Sequence, residues 1–526
     1  MAAQKDCIDS RLNVSRRDAM RTLLVGGILA PPAGGLLTHA ASSSSPLPKQ
    51  GGRITVASAS GSATDTLDPA NGSGTTDYTR AYMFYNGLTR LDEKLMPHME
   101  LSESIANEGA LRWTIKLRKD VHFHDGKPFT SADVVYSLLR HKDPATHSKV
   151  QPVAEQMEEV KATSPHEVRI KLSSPNADFP VILGTSHFLI VKEGTADFST
   201  AIGTGPYKCK EFQPGMRSVA VRNKEYWKPG KPYLDEIELI SIANEMSRAN
   251  ALLSGEVHII TGINPRSAQR IAATGGYAII ESKFNGYTDL VMRDDLGPTR
   301  NPDFVLAMKY LLDREQMRRA IFRGFAVMAN DQPIAPNHRF YFADLPQRPY
   351  DPDKAKFHLK KSGLAGATLP VVVSAATDGA LDMAQLLQLS AQRIGLTLHI
   401  NEMPAGGYWT DHWMKHPLGF GHVNPRPSAD LLFTLFFKSN AVWNESGWKN
   451  EKFDQLLIAA RAQTEEAKRK QLYADMQVLV HQHCGVGIPL FRSTVDGYNS
   501  SVKGFGAHPF GGFMGFMFAE RVWLDA

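Results

Sequence analysis

The sequence predicts an α/β protein with more than one sheet. Short segments with period-two apolar alternation recur along the chain, and longer segments with helical apolar spacing lie between them. The two kinds interleave instead of segregating, which points away from an all-α or all-β architecture. At 526 residues the chain exceeds what one hydrophobic core usually organises, so two or three domains are expected.

Arg53-Ile-Thr-Val-Ala57 alternates and opens the ordered chain as a strand. Residues 41–52 before it form a Ser/Pro/Gly linker, expected to be mobile. Arg112 to Arg118 alternates again, with Trp113, Ile115 and Leu117 on one face. His124-Asp-Gly-Lys127 reads as a turn. Thr130-Ser-Ala-Asp133 is a capping box: the hydroxyl can accept from the Asp133 N–H, and the carboxylate can reach back. The helix it opens shows Val134, Val135, Leu138 and Leu139 as its apolar face. Val168 to Leu172 is a further strand. Phe304 to Phe322 has helical spacing, as do Asp353 to Ser362 and Leu381 to Ile394, which close at Gly363 and Gly395. Leu396 to Ile400 is a strand. Glu451 to His481 is helical with a break near Thr464.

Ser15-Arg-Arg-Asp-Ala-Met20 precedes an apolar run, Thr22 to Leu37, and then Thr38-His-Ala-Ala41. This order is that of a twin-arginine export signal cleaved near Ala40. The run is short and rich in Gly and Pro, unlike a membrane span of about 20 apolar residues. Export removes chemistry that depends on cytoplasmic ATP or NAD(P)H. The formal net charge is +5, and residues 1–40 hold five of the basic and three of the acidic residues. The remainder carries no dense basic block, so no nucleic-acid partner is expected. Of three cysteines, Cys7 leaves with the signal, and pairing of Cys209 with Cys484 does not follow from sequence. Nucleophile elbows, His-Glu-x-x-His helices and phosphate loops are absent, so neither catalysis nor a cofactor is expected. Asp294-Asp295 reads as a solvated pair, not as a paired acid and base.

Eight segments in order resemble one family. They are Tyr85-Asn-Gly-Leu-Thr-Arg-Leu-Asp92; Trp113 to Gly126; Pro128 to Tyr136; Gly203-Thr-Gly-Pro-Tyr207; Asn223-Lys-Glu-Tyr-Trp227; Leu253-Ser-Gly-Glu-Val257; Leu311-Leu-Asp-Arg-Glu315; and Tyr350 to Lys356. The chain resembles the extracytoplasmic solute-binding proteins of ABC importers in the group containing the dipeptide, oligopeptide and nickel binders. That resemblance implies a type II-like periplasmic-binding-protein fold, with two lobes enclosing a ligand and closing about a hinge. The first lobe would take residues 53–285 and 496–526, with an extra subdomain at 82–202. The second lobe would take 286–495. A periplasmic monomer is implied, with a small-molecule or peptide ligand and separate permease subunits in the inner membrane.

In peptide-binding members an aspartate after a second-lobe strand pairs with the peptide amine. Here the corresponding stretch, Gly419 to Phe433, has no acidic residue before Asp430. Asn424 or Arg426 falls near the aspartate's place. Arg426 is therefore expected to read an anionic group through bidentate guanidinium geometry. The ligand would be peptide-like or an acidic small solute, such as an amino-acid–sugar conjugate. Tyr408, Trp409, Trp443 and Asn444 are candidate wall residues. On the first lobe the resemblance brings Thr75, Thr76, Asp77, Tyr85 and Asn86 toward the cleft, with Gly205 offering a backbone N–H. His412 and His416 at i, i+4 spacing, and His481 to Cys484, raise the alternative of a nickel or heme scavenger. A ligand sensor of the same fold is a further alternative.

Overall fold

The computed structural model describes residues 47–525, and for residues 284 and 285 the backbone alone. The export signal and most of the linker lie outside the described residues. The last linker residues are docked, contrary to the expected mobility. Lys49 pairs with Asp525 at 2.6 Å, and the Gly51 N–H donates to the Tyr233 carbonyl at 2.8 Å.

One sheet of eleven strands runs through the protein. Its order is Thr397–Met403, Thr368–Ser374, Leu418–Val423, Tyr277–Met292, Val486–Asn499, Ile259–Ile260, Arg53–Ser58, Glu236–Ser241, Arg217–Arg222 and Tyr207–Gln213, with Ala326–Met328 paired beside Val486–Asn499. A separate four-stranded sheet joins Ser102–Glu108, Arg112–Leu117, Glu167–Leu172 and Met157–Ser164. The mixed α/β class with more than one sheet follows.

The buried apolar residues sort into separate cores. Ile54, Val56, Phe84, Tyr207, Leu239, Phe513 and Phe518 share one, extended by Leu252, Ile260 and Ile271. Leu290, Phe304, Leu387 and Phe420 share a second, adjoined by Phe433, Phe453, Tyr473 and Ile488. Trp113, Ile115, Phe129, Val168 and Phe179 fill a third beneath the four-stranded sheet. Together they form two lobes and a subdomain. The antiparallel strands Tyr277–Met292 and Val486–Asn499 cross from the first lobe to the second. Their register shifts between Lys283 and Tyr287, where the chain passes between cores.

Most expected elements form as read. Trp113, Ile115 and Leu117 are buried on one face of their strand. Asp133 accepts from the Thr130 N–H at 2.8 Å and from its hydroxyl at 3.1 Å, opening the helix Ser131–Leu139. Its buried face is Val134 and Leu138, whereas Leu139 is exposed. The helix expected over 304–322 is two, Pro302–Tyr310 and Arg314–Ala320. Asp313 starts the second by accepting from the Gln316 N–H at 2.9 Å. The break expected near Thr464 separates Glu451–Ala462 from Glu466–His483.

Gly203 and Gly205 lie against the end of the helix Thr75–Phe84. A Cβ on Gly203 would sit 2.0 Å from the Phe84 carbonyl oxygen. Gly203→Ala is therefore expected to cost roughly 2 kcal/mol by overpacking, read as a lower denaturation midpoint with unchanged m-value.

Candidate functional site

The strand Leu418–Val423 ends in the second lobe at Asn424-Pro-Arg-Pro, and Ser428 then caps the helix Ala429–Phe436. The two prolines cannot donate to a ladder, so the strand stops and the loop stands free of the sheet. Arg426 projects from this loop. Its Nη1 donates to the carbonyls of Asn424 and Pro425 at 3.1 and 3.0 Å. The guanidinium lies 5.5 Å from the Phe436 ring centroid and 5.8 Å from that of Trp443. Among the described residues no carboxylate pairs with it. Burial pushes its pKa below the ordinary value, and the ionisable groups that feel its charge are the phenols of Tyr287 and Tyr78.

Tyr78 belongs to the opposite lobe, on the helix Thr75–Phe84. Its ring meets Phe516 at 5.3 Å and His187 at 5.5 Å. Phe516 sits in a turn where Phe513, Met514 and Phe516 all have positive φ, of 55°, 55° and 73°. Left-handed backbone at non-glycine residues costs about 1 kcal/mol each. Buried Asp496 holds the turn, accepting from the Phe513 N–H at 2.8 Å and the Thr261 hydroxyl at 2.5 Å. Arg426 thus faces an aromatic wall across the space between the lobes. Tyr287, under Arg426's influence, has a fully buried hydroxyl with no hydrogen-bond partner.

Beside this site one carboxylate ties the lobes together. Asp178 adjoins the subdomain core residue Phe179. It is 1% exposed and lies 2.8 Å from both Arg339 and Arg469 of the second lobe. Both guanidiniums stack near the Phe340 ring. Burial raises the Asp178 pKa, but Arg469 and Arg339 outweigh it and hold the group below the ordinary carboxylate range.

The other expected site residues divide. Trp443 is 36% exposed and Trp409 40% exposed. Trp409 packs edge-on to Trp413 and near His422. The side-chain oxygen of exposed Asn424 accepts from His422 Nε2 at 3.0 Å. Tyr408, in contrast, is buried and donates to the Phe420 carbonyl at 2.7 Å, so it packs the lobe. Asn444 is buried and donates to the Trp448 carbonyl at 2.7 Å. Tyr85 donates to Leu67, and Asn86 is engaged by Glu100, Tyr226, Thr204 and Trp227 inside the first lobe. Thr76 bonds Ser60, the half-buried Thr75 accepts from the Thr79 hydroxyl at its backbone carbonyl, and Asp77 pairs with Arg80. The Gly205 N–H donates to the Phe84 carbonyl at 3.0 Å and is not offered to a ligand. Most of the helix Thr75–Phe84 is buried, and Thr75, Tyr78 and Tyr82 are its half-buried positions.

His412 and His416 stack, with Nδ1 and Nε2 3.4 Å apart. Among the described residues no three His, Cys, Asp or Glu side chains converge for a metal ion. His481 is engaged by Asn330 and Arg348. Cys209 and Cys484 are free thiols. Asp295 pairs with Arg293, whereas Asp294 is half-buried instead of solvated. A depression of about 1110 Å³ lies between the subdomain and the first lobe around Asp68, Arg140 and Phe198. Arg140 there is already paired with Asp68 at 2.6 Å, so its charge is compensated.

Sequence reading missed Tyr78, Phe516 and Tyr287. The glycine-interrupted aromatic run from Phe510 to Phe518 was a usable signal for Phe516. Tyr287 gave none.

Two lobes around an interlobe space, with an added subdomain, define the solute-binding class of protein. Residues 95–458 match the bacterial extracellular solute-binding proteins, family 5 (middle region), and the chain belongs to that family. It is 27% identical over 473 residues to the glutathione-binding protein GsiB of Escherichia coli O6:K15:H31, covering 86% of this chain and 92% of GsiB. The fold is similar to that of the ABC transporter-associated periplasmic binding protein DppA from Helicobacter pylori in complex with peptide STSA. The TM-score is 0.75 and the identity 24%, over 91% of this chain and 99% of DppA. It is also similar to the binding protein AgaA from A. tumefaciens R10 in complex with agropinic acid, at TM-score 0.73 and 21% identity, covering 90% and 99%.

An arginine that braces the fold stabilises it, whereas one held uncompensated does not. Arg426→Ala is expected to leave the melting temperature of ligand-free protein unchanged or raised, as measured by calorimetry. A fall of several degrees would assign Arg426 a bracing role.

Proposed function

We propose that this protein is the periplasmic solute-binding component of an ABC importer and captures an anionic small solute between its lobes. The observation that carries the reading is Arg426: a half-buried guanidinium, close enough to Tyr78 of the opposite lobe to influence its phenol, with no carboxylate beside it among the described residues. A buried cation without a counter-charge is costly, and a ligand carboxylate or phosphate removes that cost. The missing acidic residue in the loop 419–429 argues against anchoring a peptide amine there. GsiB and AgaA are named with glutathione and agropinic acid, both of which carry carboxylates.

In this reading the lobes, residues 53–285 with 496–526 and residues 286–495, close about the crossing strands. Trp443 and Phe436 flank the anion on one side, and Tyr78 and Phe516 cover the rest of the solute on the other. Asp178 holds the closed form through Arg339 and Arg469. The closed form, favoured by ligand, docks on the permease. The protein itself carries out no turnover and acts as a monomer.

Native mass spectrometry of the mature protein from its own periplasm tests this. A discrete added mass from an acidic compound is expected. Arg426→Ala should lose it, with affinity lower by at least about 30-fold. A ladder of peptide masses retained by the variant would sink the reading.

Export would follow the twin-arginine route. Replacing Arg16 and Arg17 together by lysine is expected to leave precursor in the cytoplasm, measured by fractionation and immunoblot. Unchanged periplasmic yield would point to the general secretory route.

A further inference from the structure

Beneath the exposed tryptophans two carboxyl groups meet without a cation. Asp289 lies on the strand Tyr277–Met292 and Glu445 lies two residues beyond Trp443; they are 1% and 3% exposed. They converge over Gly421. A Cβ there would come 2.1 Å from Glu445 Oε1 and 2.9 Å from Asp289 Oδ1. Neither Asp289 oxygen has an N–H or hydroxyl donor. Its partner is the Glu445 carboxyl, and such a contact is a hydrogen bond only when a proton lies between the two. Glu445 Oε1 also accepts from the Trp413 indole N–H at 2.6 Å.

Around the pair stand the phenols of Tyr287 and Tyr408, both kept neutral by burial. Arg293 reaches only the backbone carbonyls of Met414 and Glu445, at 2.8 and 3.4 Å, and its own charge is met by Asp295. Trp413 packs edge-on to Trp409 at 5.4 Å. Glu445 therefore joins the segment carrying Trp409 to the segment carrying Trp443 and, through it, Arg426.

We propose that Asp289 and Glu445 are positioning residues for the solute site: the singly ionised pair grips Trp413 and sets both exposed tryptophans, and the doubly protonated pair releases that grip. The inference rests on the capture reading of the same cleft.

Burial pushes Glu445 up to about 7 from 4.5, and burial with Glu445's charge pushes Asp289 well above its ordinary range. The pair's first ionisation thus falls near neutrality and belongs to both groups together. Above about pH 7 the indole bond is charge-assisted, and below it the bond is neutral. The sign for folding is opposite. A raised carboxyl pKa means the folded state holds its proton longer, so stability is greatest below pH 4.5 and is lost as pH rises through about 7. The grip on Trp413 is gained while some fold stability is given up.

The test uses the full mature chain. Tryptophan emission, followed without added ligand from pH 5.5 to 8.5, is expected to show a transition with midpoint near pH 7. Glu445→Gln keeps the shape and both hydrogen bonds but cannot ionise, and it should abolish the transition. Trp413→Phe removes the indole N–H without touching the acids and should abolish it too. Solute carried from the periplasm should be retained about fivefold less at pH 5.5 than at pH 8.5 in the wild type, and equally at both in Glu445→Gln. A transition that persists in either variant would overturn the proposal while leaving solute capture intact. Loss of all captured mass, with the emission transition present, would overturn the capture reading and confine the pair to ordering the tryptophans.

Discussion

The antiparallel pair Tyr277–Met292 and Val486–Asn499 is the constraint on which the rest depends. The two strands belong to the first-lobe part of the great sheet at one end and to the second-lobe part at the other. Each lobe packs its helices on its own portion, so neither can move without bending this ladder. The register shift between Lys283 and Tyr287 interrupts the pairing between the two cores. A ladder with missing bonds bends there more readily than elsewhere. Two groups of the site lie on the crossing itself: Tyr287 begins the second-lobe half, and Asp289 follows two residues later on the same strand.

Charge in the interior is met in two ways, by carboxylates and by backbone carbonyls. Arg80 meets Asp65 and Asp77, Arg314 and Arg348 meet Asp331, and Arg339 and Arg469 meet Asp178. The Asp178 pairs hold segments distant in sequence, the others tie neighbouring segments, and each of these guanidiniums is compensated. Arg248 meets only backbone carbonyls, inside the first lobe, and Arg426 likewise has no carboxylate pair among the described residues. Aromatic faces and two backbone carbonyls soften its burial but supply no full negative charge. The Asp289–Glu445 pair is its counterpart, a negative site lacking a cation. Arg426 lies 5.8 Å from the Trp443 ring centroid, and Glu445 is two residues beyond Trp443. Uncompensated groups are expensive in a core, and Arg426 and the Asp289–Glu445 pair bring two such sites to the same part of the second lobe.

Strain is found on the facing side. Asp496 holds Phe513, Met514 and Phe516 in left-handed backbone, which delivers Phe516 to Tyr78. A relaxed loop could carry an aromatic ring to the surface without that cost. The fixed turn gives the first-lobe wall a single shape, so its contribution to binding carries little ordering entropy.

Local chemistry in the sequence determined much of the fold. Alternation at Arg112–Leu117, the Thr130–Asp133 cap and the glycine stops at Gly363 and Gly395 depend on neighbours within a few residues, and they form as read. The ordered family segments determined the two-lobed class, and the missing acid before Asp430 singled out Arg426. Only the tertiary structure decided which polar residues remain available. Tyr85, Asn86, Tyr408 and Asn444 look like ligand groups in sequence, but packing turns each inward to a fixed partner. Tyr78, Phe516 and the Asp289–Glu445 contact join segments separated by hundreds of residues, brought together by the crossing strands. Sequence reports what each residue can bond, whereas the three-dimensional fold determines which bonds are already taken.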